Sequence, residues 1–330
     1  MSETTAEKDN GRIIAVVFCV WAVILLTAFF ANRGSDVGQL GKLVGNLGGG
    51  PLVGAGFTDN VAGAVTAMLI AISWFGIGSF TSSFISVGRT EDHSHILELT
   101  IKTAIGSAIC SLIWFFLGVV GLYSGITAIV VTVIGVAFAA LSFRRVREAK
   151  DESRIPEKAN FFDRALLVLI AVPLVLAFVA SLAPPTAKDT LLYHFAVPKA
   201  FITQGNNAFI EGNIASYLAL GSEMHNVWAM LLGRFVSDSA GEAAAGAINW
   251  AFFPLLMMAI FGWARELKIE RGWALTSVLT VAAVPTAYYV AANAYIDLAL
   301  ALFVTLAIYA LSRWWKSLEI GWLILIAVFL

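Results

Sequence analysis

The sequence predicts an all-α, polytopic membrane protein, and three observations carry that expectation. Hydrophobic residues make up 59% of the 330-residue chain, charged residues only 13%, and mean hydropathy is +0.83. A soluble chain of this size must cover itself with charged side chains, so here lipid has to replace water over most of the exterior. The apolar residues fall in long uncharged runs, and about 20 apolar residues of helix are what a bilayer crossing needs. The lysines and arginines collect in some of the gaps between runs, as they do in cytoplasmic loops. A net charge of −1 gives no electrostatic grip on nucleic acid, and Cys19 and Cys110 both sit inside apolar runs, unlike disulfide or metal ligands.

Taken in order, the runs give eight complete spans and part of a ninth. Ile13 to Ala31 is 19 residues long, which would rise about 29 Å as a helix. Lys8 and Arg12 precede it without the small-residue cleavage pattern of a signal peptide, so it reads as a retained first span. Spans two to four are expected near residues 61–87, 101–122 and 126–143, the last two parted by the turn Gly121-Leu122-Tyr123-Ser124-Gly125. These four make an N-terminal membrane region, residues 1–143, followed by a basic loop over 144–163. The second region, 164–330, holds spans near 164–183, 243–263, 272–290 and 295–312, with a long loop over 184–242. Pro285 and Asn293 divide the stretch Gly272 to Ser312 into two helices joined by a tight turn. The ninth, over 319–330, is too short to cross and reads as truncated.

Orientation follows from the basic residues. The 144–164 segment carries Arg144, Arg145, Arg147, Lys150, Arg154, Lys158 and Arg164, and placing it inside puts the N-terminus in the cytoplasm. Sixteen of the 21 lysines and arginines then fall inside, against five outside: Arg33, Lys42, Lys188, Lys199 and Arg234.

Two external segments remain. Asn32 to Asn60 has nine glycines between Gly34 and Gly56, but no Walker lysine-serine pair and no preceding strand, so it reads as a flexible loop and not a phosphate cradle. The loop 184–242 is better furnished. Ile214, Tyr217, Leu218, Gly221, Met224, Val227, Trp228, Leu231 and Phe235 recur at helical spacing. Counting that stripe as a span would invert every later loop, so it is expected to lie along the outer membrane surface with Trp228 at the head-group level.

Ionisable groups close to hydrocarbon are costly, and each needs a reason. Asp189 lies just beyond the fifth span, and Asp297 begins a helix at the same face, so the topology brings both carboxylates to one side at similar depth. Taken singly, Asp189 is a solvated loop acid and Asp297 a first-turn carboxylate stabilised by unpaired amides and the helix dipole. Tyr193 with His194, and Glu223 with His225 and Asn226, join them on the same side. A histidine there could orient a phosphate or carry a proton, or be an ordinary hydrogen-bonded interfacial residue. Lys188, Lys199 and Arg234 are the cations available to an anionic head group. The run Glu91-Asp92-His93-Ser94-His95-Ile96-Leu97-Glu98 has the composition of a metal cluster but not its spacing, so no metal is expected.

The order of these motifs resembles a known family. A span is followed by Lys188-Asp189-Thr190-Leu191-Leu192-Tyr193-His194, then Val197-Pro198-Lys199, Gly205 and Gly221-Ser222-Glu223. Ala294-Tyr295-Ile296-Asp297-Leu298 comes later. Over residues 163–330 this is similar to the polytopic GT-C glycosyltransferases, within them to the bacterial branch of protein mannosyltransferases and aminoarabinose lipid A transferases. The resemblance implies an inverting transfer of a sugar from a polyprenyl-phosphate donor to a lipid, glycan or protein acceptor at the external face of a bacterial inner membrane. It implies Asp189 as general base and Asp297 as a second acid shaping the site, with no cofactor. Lys188 or Lys199 would hold the leaving phosphate, Tyr193 and His194 match a Tyr-His pair that follows the first acid in the family, and Glu223 and His225 are taken with them as substrate-binding residues. The adjacent acids many members carry are absent, since Lys188 and Thr190 flank Asp189. The competing expectation is a secondary transporter or lipid flippase that uses Asp189 and Asp297 as ligands for an ion or a substrate. Against it, such folds place ionisable residues near the midplane, often within inverted repeats.

Overall fold

The computed structural model describes residues 55–85, 94–148 and 160–330, with the side chains of 55 and 144–148 excepted, and scattered helical residues between 16 and 34. The chain divides into two units, residues 1–57 and 58–330. In the first, the Asn32 amide donates to the Ala28 carbonyl at 2.8 Å, one turn back along its helix. The span expected over 13–31 lies partly outside the described residues, as does most of the glycine-rich segment that follows it.

From residue 55 onward the elements run as follows. Four long helices, α1 (Ala55–Ser82), α2 (His95–Val119), α3 (Gly125–Glu148) and α4 (Phe161–Ser181), come first. A π-turn (Thr190–His194), α5 (Ala196–Gln204), a 3₁₀ turn (Ile214–Tyr217) and α6 (Glu223–Gly233) follow. The chain continues through α7 (Asp238–Glu266), α8 (Arg271–Ala282), α9 (Pro285–Ala292), α10 (Asp297–Ser317) and α11 (Ile320–Phe329). The protein is all-helical among the described residues, and it is a multi-pass membrane protein. Among the described residues, α1, α2, α3, α4, α7 and α10 are long and apolar enough to cross a bilayer, and α8 with α9 makes a seventh if the bent pair is one span.

Local chemistry explains most of the boundaries. Asn160 and Asp163 form a reciprocal capping box at the start of α4, with bonds of 2.8 and 3.1 Å. Ser237 Oγ accepts from the Ala240 amide at 2.9 Å to open α7 and donates to Asp59 at 2.7 Å. Gly205, at φ +75°, closes α5 in the left-handed conformation that a side chain disfavours. The span expected over 272–290 is broken by a 64° bend between α8 and α9. Pro285 forces Val284 out of the helical region and then serves as the first residue of α9. α3 also runs on to Glu148, past the expected end at 143, so the basic loop begins as helix.

α7 is the axis of the bundle and touches α2, α4, α6, α8, α9 and α10. Water gives no hydrophobic push between helices in lipid, so close van der Waals approach through small residues must hold them together. The α1–α2 crossing shows this: a Cβ on Gly78 would fall within the Lys102 carbonyl, and one on Gly106 within the Trp74 carbonyl. At the α1–α3 contact Gly76 faces Gly135, and Ser73 Oγ donates to the Thr132 carbonyl at 3.2 Å.

One element departs from the expectation altogether. The stripe expected to form a surface helix is divided into the 3₁₀ turn and α6, and α6 is buried on every side. Trp228, placed at the head groups by its sequence context, is 0% exposed. Its ring sits near Trp114, and its Nε1 donates to Thr132 Oγ1 at 3.0 Å. A helix with one polar face ordinarily shows that face to water, but here Glu223, His225 and Asn226 find protein partners, so the polar face is buried too. Trp228→Phe removes the bond to Thr132 and is expected to lower stability by about 1–2 kcal/mol. Unfolding in mixed micelles measures this, and Thr132→Val in the same assay should make the second change nearly silent.

Candidate functional site

The site is built on the π-turn, a rare geometry that widens the backbone helix and often marks functional positions. Two interactions pin the turn. Thr190 Oγ1 donates to the Asn293 carbonyl just before α10, and Asn226 Nδ2 on α6 donates to the His194 carbonyl at 2.9 Å. Asn226 is held in turn by Asn249 of α7, whose Nδ2 donates to Asn226 Oδ1 at 2.6 Å and to the Ala245 carbonyl at 2.8 Å. Asn226 and Asn249 are both buried, so this amide chain is a rigid link between the bundle axis and the turn.

His194 Nδ1 meets Glu223 Oε1 at 2.7 Å, with both side chains 2% exposed. With Nδ1 engaged by the Glu223 carboxylate, Nε2 is the ring nitrogen left to meet another group. Glu223 Oε2 is buried with no hydrogen-bond partner. The Tyr193 ring packs on His194 at 4.2 Å, and Tyr295 approaches His194 at 5.5 Å and Tyr289 at 5.9 Å.

Asp189 bonds to the Tyr193 hydroxyl of this aromatic group, and Asp297 is near enough for its charge to act on it. Burial first, and then the negative charges of Asp189, Glu223 and Asp297 with the Asp189 contact, push the Tyr193 hydroxyl above its ordinary value. Tyr295 is pushed up by burial, by its bond to Tyr289 and by the charges of Tyr289 and Asp189. The Tyr193 phenol is therefore held as a donor among three carboxylates, while Tyr295 faces the charge of one, Asp189. Asp189 is half-buried and Asp297 exposed, so the acids have a solvent-accessible side. Beside them a cavity of about 320 Å³ is lined by Ser181, Pro185, Thr186, Phe195, Tyr288 and Asn293 among others, neither carboxylate being part of its wall. That volume is within the range of small-ligand sites.

The remaining expected residues go elsewhere. Lys188 is exposed beside Asp189 in the chain. Lys199 pairs with Glu242 at 2.6 Å and lines a second cavity, about 260 Å³, together with Arg234 and Asp238. His225 points into the core: Nε2 meets Ser107 Oγ at 3.1 Å, its ring stands 4.7 Å from Trp74, and Nδ1 has no hydrogen-bond partner. Among the described residues no group of three or more His, Cys, Asp or Glu side chains is placed to hold a metal. Of the residues in this site, Asn249 and Tyr289 were not singled out from sequence. A buried asparagine inside a span is costly and is itself a flag, whereas Tyr289 is indistinguishable in sequence from a membrane-facing aromatic.

The fate of His225 has a measurable consequence. Burial lowers its pKa from 6.5 to about 3, so the folded chain keeps it neutral where the unfolded chain takes up a proton. Stability is then complete above pH 6.5 and falls as pH drops toward about 3, by up to about 1.4 kcal/mol for each pH unit. Unfolding midpoints at pH 7 and pH 5 are expected to differ in the native protein and to differ less in His225→Gln.

Set against known proteins, the chain matches no family model, no curated protein and no solved structure, so its function has to be read from the geometry of this site.

Proposed function

We propose that the protein is an inverting GT-C type glycosyltransferase that takes a sugar from a polyprenyl-phosphate donor at the external face of a bacterial inner membrane, with its N-terminus in the cytoplasm. The observation that carries the reading is the Asp189 carboxylate bonded to the Tyr193 hydroxyl, whose ring packs on His194 and through it meets Glu223, with Asp297 near enough for its charge to act on the same hydroxyl. A solvated loop acid and a helix-capping acid need not share an aromatic site, whereas an acid that works on a substrate needs such company.

In this reading the acceptor hydroxyl oxygen attacks the anomeric carbon from the side opposite the phosphate. Asp189 takes the hydroxyl proton as the new C–O bond forms, and the bond to the phosphate oxygen breaks with its electron pair leaving on the phosphate. A phosphate leaves as an anion without needing an acid, so one base and one cation suffice. Lys188, exposed next to Asp189, is the cation for that task, because Lys199 is engaged by Glu242. Tyr193 and the Nε2 of His194 orient hydroxyl groups of the bound sugar.

A second reading has an observation of its own. Glu223 and His194 form a buried ionisable pair between helices, an arrangement that transporters use for coupling ions. Proteoliposomes decide between the two. The enzyme turns over a labelled polyprenyl-phosphate sugar to free polyprenyl phosphate and an acceptor glycoside of opposite anomeric configuration, with no imposed ion gradient. A transporter leaves the donor intact and moves label across the membrane only when a gradient is applied.

A further inference from the structure

The segment between α5 and α6 shows four large apolar side chains outside any span: Phe209, Ile214, Tyr217 and Leu218 are 64%, 86%, 60% and 60% exposed. They are held in place. Phe209 and Tyr217 stack at 4.3 Å with planes 10° apart. Ser216 Oγ accepts from the Ile210 amide at 3.0 Å and donates to the Asn213 carbonyl at 2.8 Å, while Asn213 Oδ1 accepts from the Ala215 amide at 3.0 Å. An ordered apolar patch of this kind marks an interaction surface.

Its depth can be read from α2. The last charged side chain along α2 is Lys102, paired with Glu98 at 2.6 Å, and the chain from Thr103 to Leu122 carries no charge. The helical residues from Thr103 to the end of α2 at Val119 rise about 26 Å at 1.5 Å each, most of the thickness of the hydrocarbon layer, so the layer's far boundary lies just beyond Val119. The loop is tied to α2 short of that boundary. Asn207 Nδ2 donates to the Phe115 carbonyl at 3.0 Å, and the Asn207 amide to the Gly118 carbonyl at 3.4 Å. Phe116, Val119 and Val120 are exposed on the same last turns of α2, so the patch continues a surface that already faces lipid.

We propose that residues 205–222 form an interfacial anchor, with Phe209, Ile214, Tyr217 and Leu218 seated in the head-group and upper acyl layer of the bilayer. Tyrosine suits that level, its ring among acyl carbons and its hydroxyl among head groups. Glu211, exposed on the same loop, marks the side that stays in water. The anchor keeps for Ile214, Tyr217 and Leu218 the interfacial place expected from sequence for the whole stripe, adds Phe209 and leaves α6 out, and it rests on the membrane reading alone, whatever the chemistry of the site.

Nitroxide accessibility tests this. Ile214→Cys, Leu218→Cys and, for reference, Glu211→Cys are made one at a time with Cys19→Ser, Cys110 being buried, then spin-labelled and placed in phosphatidylcholine–phosphatidylglycerol liposomes. Exposed positions tolerate cysteine, so folding is not at issue. Labels at 214 and 218 should collide more with oxygen than with an aqueous nickel chelate, and the label at 211 should do the reverse. Nickel dominating at 214 and 218 would place the loop in water and overturn the proposal. Low collision with both reagents would also overturn it, by showing that protein and not lipid covers the patch.

Discussion

Asp189→Asn is expected to slow sugar transfer by about 10²–10⁴-fold, the usual worth of a positioned general base, while leaving the amount and melting temperature of the protein nearly unchanged. Asparagine keeps the shape of the side chain but cannot take the acceptor's proton. The two effects separate because Asp189 precedes the π-turn without a side-chain capping bond and is only half-buried, and asparagine keeps a side-chain oxygen that can accept from the Tyr193 hydroxyl. The turn itself is pinned through Thr190 and through the His194 carbonyl, both independent of the Asp189 carboxylate. Single-turnover transfer from labelled donor in proteoliposomes is the measurement, with Asp297→Asn alongside. Asp297 lies in the first turn of α10, where a charge is worth about 0.3–1 kcal/mol to the helix, so its variant should lose some stability and a smaller share of rate. Native turnover in Asp189→Asn would remove it as the base.

The largest effect on the fold is expected from Gly106→Val. At that position any Cβ lands on the Trp74 backbone carbonyl, with the Gly78 amide next nearest. Backbone on the facing helix cannot step aside as a side-chain tip can, so α1 and α2 must move apart and surrender the contacts of Trp74, which is fully buried against Phe252 and His225. Overpacking typically costs 1–3 kcal/mol, and a clash with backbone lies at or beyond the upper end, so a loss of about 3 kcal/mol or more is expected. Folded yield and thermal unfolding in detergent measure it. Gly221→Ala is the control, because its nearest neighbour would be Ser111 Oγ at 3.5 Å, an ordinary contact, and it should be close to neutral. Equal stability of Gly106→Val and the native protein would mean that the two helices do not cross at these glycines.

How legible the fold was depends on the element. α1 to α4, α7 and α10 follow the uncharged runs closely, because in lipid a chain must satisfy its own backbone hydrogen bonds and a helix is the way a single segment does so. The crossing expected over 272–290 runs through Pro285, where the structure bends it by 64° into α8 and α9. Proline signals a disruption but does not say whether the chain turns back or only kinks. α6 was misplaced for a different reason. Periodicity reports that Glu223, His225 and Asn226 share a region of the helix, but a polar face looks the same in sequence whether it meets water or meets Ser107, His194 and Asn249.

The candidate site divides in the same way. Asp189, Tyr193, His194, Glu223 and Asp297 stood out because ionisable groups near a membrane are costly wherever they are, and the structure gathers these five around one aromatic group. Lys199 and His225 stood out by the same rule and have other partners, Glu242 and Ser107. Composition and hydropathy determined that this chain is a helical membrane protein and where most of its crossings lie, since the bilayer acts on each segment separately and permits few solutions. Which acid meets which histidine, which lysine is neutralised and which helix is enclosed were decided only by tertiary structure. Those outcomes depend on the mutual approach of helices far apart in the chain, and no single segment contains that information.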